Sequence, residues 1–275
     1  MSADEWTTVR IRDIADRGAI VARLFELGAE GIEELDDGIV THLRNVERAT
    51  LTNALRFTDT SACIELSDTP AVDWTKEWRS RLGAHRVDRL VVTPPWLADD
   101  YTESERIVIE PGMAFGTGDH ESTRGVLRLM QRVVRSGDVV ADLGAGSAVL
   151  SIAAAKLGAR RTVAIEVDPD AIENAEANVV ANDVVGRVTV IEGDALTLLP
   201  LVAPVRVALA NIVSSVLIAM LPTIAQSLTS DGAAILGGVL LEERRDLDVA
   251  LTRDGWSIVD TDIEGMWWSA IVARP

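Results

Sequence analysis

The sequence predicts an α/β chain: a doubly wound, seven-stranded, mostly parallel sheet with an antiparallel terminal hairpin, preceded by a small α+β unit. Three observations predict it. From about Ile107, short apolar runs alternate with Gly-rich turns and helical segments, and strands buried on both faces read as such runs in parallel sheets covered by helices. The last two runs, Trp256 to Val259 and Met266 to Val272, have no helix between them, so they pair as a hairpin. Before Ile107 the order is different, reading β-α-β-β-α-β over the first 70 residues.

In that first part, Thr7 to Ile11 alternate as a half-buried strand, and Asp13 to Leu27 place Ile14, Ile20, Val21, Leu24 and Leu27 at helical spacing. Gly28 ends the helix. Strand-like runs at Gly31 to Leu35 and Gly38 to Leu43 flank the turn Asp36-Asp37-Gly38, and a helix near Val46 to Leu55 leads to a strand near Ser61 to Leu66. Such an order points to a ferredoxin-like sandwich over residues 1–70. Residues 71–105 read as a linker: a helix over Asp73 to Leu82, with Trp74 and Trp78 four apart, then a loop containing His85 and opened further on by Thr93-Pro94-Pro95-Trp96. Residues 106–275 hold the sheet, with strands at Val139 to Leu143, Thr162 to Ile165, Val188 to Ile191, Val205 to Ala210 and Ala233 to Leu236 before the hairpin.

Composition narrows the function. The chain has 275 residues, 48% hydrophobic and 25% charged, which excludes a disordered or disulfide-stapled protein. With 43 acids against 26 bases the net charge is −17, and only Lys76 and Lys156 are lysines. A direct nucleic-acid binder is therefore not expected. The acidity is spread along the chain, at −7 over residues 1–70, −2 over 71–110 and −8 over the rest. It reflects either an acidic host proteome or attraction to a basic partner. A lone Cys63 fits a reducing cytoplasm and reads as a buried, inert thiol. No signal peptide or membrane span is legible, and His42, His85 and His120 have no metal-ligand spacing.

The chemistry gathers at strand ends. Asp142-Leu143-Gly144-Ala145-Gly146-Ser147-Ala148-Val149 carries a strand into a Gly-rich turn and a helix. Gly144 and Gly146 let the backbone approach a ligand, and Asp142 offers it a carboxylate. A dinucleotide fingerprint fails at Val149, which is too large for its third glycine position. Glu166, 22 residues after Gly144, ends the next strand and can accept from both hydroxyls of a ribose. Asp194 follows the third strand, offered to an exocyclic amine, and Asn211 follows the fourth. Asp168 before Pro169 reads instead as a helix cap.

Together these strand-end groups and the hairpin resemble the seven-stranded, S-adenosyl-L-methionine-dependent methyltransferases. Ala148 stands where that family has a third glycine, and Glu166 where it usually has Asp. A second motif, Pro111-Gly112-Met113-Ala114-Phe115-Gly116-Thr117-Gly118-Asp119-His120-Glu121-Ser122-Thr123, resembles the signature of the PrmA-type methyltransferases that modify large-subunit ribosomal protein L-eleven (L11), with Ser122 in place of a threonine. Asp73-Trp74 with Glu77-Trp78, Ala210-Asn211-Ile212 and Leu236-Gly237-Gly238-Val239-Leu240 extend the similarity from about Asp73 to the carboxyl terminus. The resemblance implies cofactor contacts from Thr123, Gly144, Glu166 and Asn211, with Phe115, Gly116, Asp142, Gly146 and Asp194 in a second tier. It further implies repeated methylation of lysine side chains, and of an N-terminal amine, on a basic ribosomal protein; a cytoplasmic monomer without a metal is expected.

The residues themselves agree with parts of this reading. Phe115 in a Gly-rich loop can cover a ligand face, while Thr123 at a helix start can bond a carboxylate or serve only as a cap. Asn211 accepts an amine hydrogen without adding charge, and His120 either orients substrate and carries a proton or simply shapes the loop. The alternatives are the same fold acting on another protein lysine or a small molecule, a nicotinamide-dependent oxidoreductase, and a non-catalytic nucleoside-binding adaptor.

Overall fold

The computed structural model describes residues 6–29, 32–35, 38–44, 46–68, 82–111 and 115–274. It divides into two compact units, Met1–Arg81 and Leu82–Pro275. The expected turn at Asp36 and Asp37 and the expected helix from Asp73, with Trp74 and Trp78, lie outside the described residues.

In the first unit, β1 (Trp6–Arg12), α1 (Arg17–Glu26), β2 (Ile32–Leu35), β3 (Gly38–Arg44), α2 (Arg48–Thr58) and β4 (Cys63–Asp68) form an antiparallel sheet of order β2-β3-β1-β4. Each helix joins two strands that flank a third. Ile20 and Leu24 of α1 and Leu51 and Leu55 of α2 therefore close over Val9, Ile11, Ile39 and Leu43 as one core. Helix α1 starts later than its apolar spacing suggests, because Asp16 caps it by accepting the Ala19 N–H. Cys63 is exposed rather than buried. On β4 it is Ile64 and Leu66 that join the core, and alternation sends Cys63 to the opposite face.

The second unit begins with strands where a linker and loop were expected. His85–Val87 (β5), Leu90–Thr93 (β6) and Arg106–Val108 (β7) make a three-stranded sheet, and Pro95–Asp100 is a 3₁₀ helix. The main sheet consists of β8 (Val139–Leu143), β9 (Arg161–Glu166), β10 (Val188–Glu192), β11 (Val205–Asn211), β12 (Leu228–Leu240), β13 (Ser257–Glu264) and β14 (Trp267–Ala273). Its order is β10-β9-β8-β11-β12-β14-β13, with β14 antiparallel to both β12 and β13, so the expected hairpin is present. Successive strands move outward from β8 on one side and from β11 on the other, which places the topological switch between β8 and β11.

Helices cover both faces: α3 (Glu121–Val133), α4 (Val149–Lys156), α5 (Pro169–Ala181), α6 (Ala195–Val202), α7 (Ser214–Ser227) and α8 (Arg244–Arg253). Alternate strand residues divide between two cores. Val140, Ala164, Val207, Leu209 and Ile235 pack against α3, α4 and α5, while Ala141, Val163, Ala208, Ala210 and Leu236 pack against α6, α7 and α8. The carboxyl ends of β8 to β11 are thus held in one row by two closely packed layers.

Candidate active site

The turn after β8 is fixed from both sides. Its Gly144 and Ala145 N–H groups donate to the Ile165 carbonyl at 2.9 and 3.1 Å. Gly144 and Gly146 have φ of +71° and +52°, a region that favours glycine. A Cβ on Gly146 would stand 2.4 Å from the Phe115 carbonyl oxygen, and one on Gly144 2.6 Å from the Ile212 side chain. No other residue fits either position without displacing a neighbour. The segment at Phe115 docks on the turn, since Ser147 donates its N–H to the Phe115 carbonyl at 2.9 Å and its hydroxyl to the Gly116 carbonyl at 2.7 Å.

Glu166 ends β9 beside this turn. One carboxylate oxygen accepts the Gly146 N–H at 2.8 Å, and the other accepts Val167 and Asp168 N–H at 2.8 and 3.0 Å. A carboxylate has about four acceptor sites. With three occupied, Glu166 has room for about one further donor, not for two hydroxyls at full strength. Asp168 caps α5 as expected, accepting the Asp170 N–H.

Asn211, the last residue of β11, donates from Nδ2 to Thr123 Oγ1 at 3.3 Å. Its Oδ1 is buried with no hydrogen-bond partner, and Thr123 is completely buried. An unpaired buried acceptor costs free energy unless a ligand or water completes it. Asp194 is an exposed cap of α6, accepting the Leu196 N–H at 2.9 Å.

These groups enclose a cavity of about 480 Å³ at the carboxyl ends of the parallel strands, a size typical of small-molecule sites. Eight of the residues expected from the sequence line it: Phe115, Gly116, Thr123, Gly144, Gly146, Glu166, Asp194 and Asn211. Ile212, Val213 and Val216 supply an apolar wall, which strand-end reasoning did not anticipate.

Two expected residues stand elsewhere. Asp142 does not reach the cavity: it shares the strand face of Val140, is completely buried, and accepts the Ser151 hydroxyl of α4 at 2.7 Å. Its other oxygen has no partner, and burial pushes its pKa up to about 7. His120 is the N-cap of α3, with Nδ1 accepting the Ser122 N–H at 3.3 Å. It lies outside the cavity lining, with its ring edge-on between Phe115 at 5.0 Å and Trp267 at 4.7 Å. Trp267 was not anticipated. The signal was its neighbour: Trp268 is fully buried in one core, and alternation turns Trp267 the other way, toward the loop.

Among the described residues, no group of three or more His, Cys, Asp or Glu side chains could hold a metal, and no helix is long and apolar enough to cross a membrane.

A seven-stranded sheet of this order, with its antiparallel end and a glycine-cradled cavity beside the switch point, is the α/β methyltransferase fold. Within it, the chain belongs to the ribosomal protein L11 methyltransferase (PrmA) family, whose family model matches residues 16–275. A protein of Pelotomaculum thermopropionicum called ribosomal protein L11 methyltransferase is 39% identical over 206 residues, covering 74% of this chain and 65% of that protein. This chain therefore spans slightly less than two thirds of that relative's length. One of the same name from Lacticaseibacillus paracasei is 33% identical over 255 residues, 91% of this chain and 77% of that one. The crystal structure of a ribosomal protein L11 methylase from Lactobacillus delbrueckii subsp. bulgaricus superposes with a TM-score of 0.63 at 27% identity, over 70% of this chain and 99% of that one.

Proposed function

We propose that this chain methylates lysine side chains of ribosomal protein L11, with S-adenosylmethionine as the methyl donor. The observation that carries the reading is the buried, unpartnered Oδ1 of Asn211, set beside Thr123 in a glycine-cradled cavity. Family membership supports it.

The residues present fit such a cofactor. Gly144 and Gly146 leave the close approach that a Cβ would fill. Glu166 offers its remaining acceptor site to a ribose hydroxyl, and Asp194 an acceptor to an adenine amine. Thr123, in the first turn of α3, suits a carboxylate through its hydroxyl and the helix N-terminus. When bound, S-adenosylmethionine supplies an already activated methyl on a sulfonium.

The protein's remaining task is to present a neutral amine in line. A lysine ε-amine has an ordinary pKa of about 10.4 and must lose its proton and its water before it reacts. The apolar wall of Ile212, Val213 and Val216 disfavours the charged form, and Asn211 Oδ1 accepts a hydrogen of the neutral amine. Neither needs a strong general base. The net charge of −17 favours a free, basic ribosomal protein over RNA as the partner.

The test is to incubate the pure chain with isotopically labelled S-adenosylmethionine and ribosomal proteins from cells lacking the enzyme, then map the label by mass spectrometry. Label on L11 lysines is expected, and label confined to a small molecule or another protein overturns the substrate assignment. We further propose that residues 1–70 recognise the protein substrate, because the catalytic sheet is complete without them. Removing them should abolish L11 methylation and spare cofactor binding; loss of both would refute the division.

A further inference from the structure

The opposite edge of the parallel sheet carries a second cavity, of about 510 Å³, at the amino ends of β8 to β11. Its walls are Val139 at the start of β8, Arg160 and Arg161 entering β9, Arg187 and Thr189 at β10, and the segment ending at Pro204 before β11. Three arginines are among its lining residues and no Asp or Glu is, in a chain where acids outnumber bases 43 to 26.

The roots of these arginines are fixed. The N–H groups of Arg160 and Arg161 both donate to the Asp138 carbonyl, at 2.8 and 3.3 Å, and the Arg187 carbonyl accepts the Thr162 N–H at 2.7 Å. Arg187 Nη1 is fastened to the Ala155 carbonyl at 2.6 Å. Among the described residues, the side chains of Arg160 and Arg161 meet no carboxylate and no carbonyl.

We propose that this cavity binds a compact anion bearing two or more phosphate groups. A guanidinium presents paired N–H donors that match phosphate oxygens two at a time. Arginines rooted at the starts of two different strands, β9 and β10, can engage two linked phosphate groups at once, even with Arg187 Nη1 held by the Ala155 carbonyl. Size and charge exclude a long polyanion as the better ligand, since an RNA backbone running past the cavity would meet a surface that is strongly acidic overall. The site lies at the sheet edge away from the cavity lined by Asn211, so it is independent of the methyl-transfer reading.

Calorimetric titration of the whole chain with inorganic pyrophosphate, in low-chloride buffer, tests this. Saturable one-site binding is expected, weakened about tenfold or more in an Arg160→Gln/Arg161→Gln double variant. Because both side chains are exposed, the melting temperature of the variant without anion should equal that of the parent. Arg187→Gln, assayed in parallel, should weaken binding as well. Absence of saturable heat up to about 10 mM pyrophosphate, or equal affinity in both variants and the parent, overturns the proposal. Tighter binding of a short ribosomal RNA fragment than of pyrophosphate, in direct competition, overturns it too.

Discussion

Asn178 donates from Nδ2 to the Ser147 carbonyl inside the glycine turn, at 3.0 Å, while its Oδ1 accepts the Glu110 N–H at 2.8 Å. One buried side chain thus joins the turn to the segment that leads into the Phe115 loop. It belongs to a row on α5, in which Asn174 donates to the Glu110 carbonyl and Asn182 both donates to and accepts from the backbone of Val108. Spaced four apart, the three amides face one way and replace the partner strand that this edge of backbone lacks. Asn178→Ala should leave the buried Ser147 carbonyl unpaired, at about 1 to 3 kcal/mol, and the part-buried Glu110 N–H unpaired at the low end of that range. A total loss of about 2 to 4 kcal/mol in urea unfolding is expected, and a loss below about 1 kcal/mol would mean that water substitutes for both bonds.

Ala148 stands at φ +64°, ψ 19°, in the left-handed region, and immediately precedes α4. A Cβ in that conformation costs about 1 kcal/mol, which glycine avoids. Ala148→Gly should therefore leave stability unchanged or raise it by up to about 1 kcal/mol. The same change at the equally buried Ala154, within α4, should lower it by about 1 kcal/mol. Equal losses at the two positions in parallel thermal melts would refute the strain argument.

How far the sequence disclosed this architecture depends on what each residue needs to be placed. The strands β8 to β12 are legible because each contains a short, mainly apolar run followed by a turn, and a parallel sheet brings all their carboxyl ends to one edge. Hence eight strand-end and loop residues were expected at the cavity and are found there. Strands β5 to β7 are three or four residues long, too short for any period to show. The neighbours of Cys63, Ala62 and Ile64, suggest burial, but two-residue alternation puts Cys63 on the face of Glu65, opposite the core residues Ile64 and Leu66. Asp142 failed for a related reason. A residue inside the strand points to one face or the other, and Asp142 points to the face of Ser151 and away from the crevice. Asn178 and Trp267 act through tertiary neighbours distant in sequence, which no local pattern encodes.

Strand β13 is the outer edge of the main sheet, and it is tied to α3 by a ladder of charges. Arg124 pairs with Glu264, Arg128 with Asp262 and Glu264 at 2.6 Å each, and Arg132 with Asp260 at 2.6 Å. Charge on an edge strand also discourages pairing with another chain. Hydrogen bonding from Arg124, helped by Arg128, holds the Glu264 carboxyl below its ordinary 4.5, and Arg132 does the same for Asp260 below 3.8. Both folded pKa values lie below the unfolded ones, so this stabilisation is complete above about pH 5 and is lost as pH falls through the depressed values. In melting temperatures measured from pH 6 to pH 2, Glu264→Gln should fall less steeply below about pH 4.5 than the parent. Parallel acid limbs would show that the Glu264 pairs add nothing to stability.

Asp142 predicts the opposite slope. Its folded pKa, raised by burial to about 7, lies above the ordinary 3.8, so between those values the folded state holds a proton that the unfolded state has released. Stability then declines as pH rises from about 4 to about 7, and levels off once both states are ionised. The Ser151 hydroxyl, donating at 2.7 Å, only partly offsets the burial of charge, and the nearby Glu166 carboxylate adds to the cost. An amide keeps the acceptor for Ser151 and removes the ionisation. Asp142→Asn should therefore resemble the parent at pH 4 and become progressively more stable relative to it up to pH 7, with a constant difference beyond. Denaturant unfolding at pH 4, 5.5, 7 and 8 measures this directly. A difference between the two proteins that does not change with pH would mean that Asp142 does not titrate in this range.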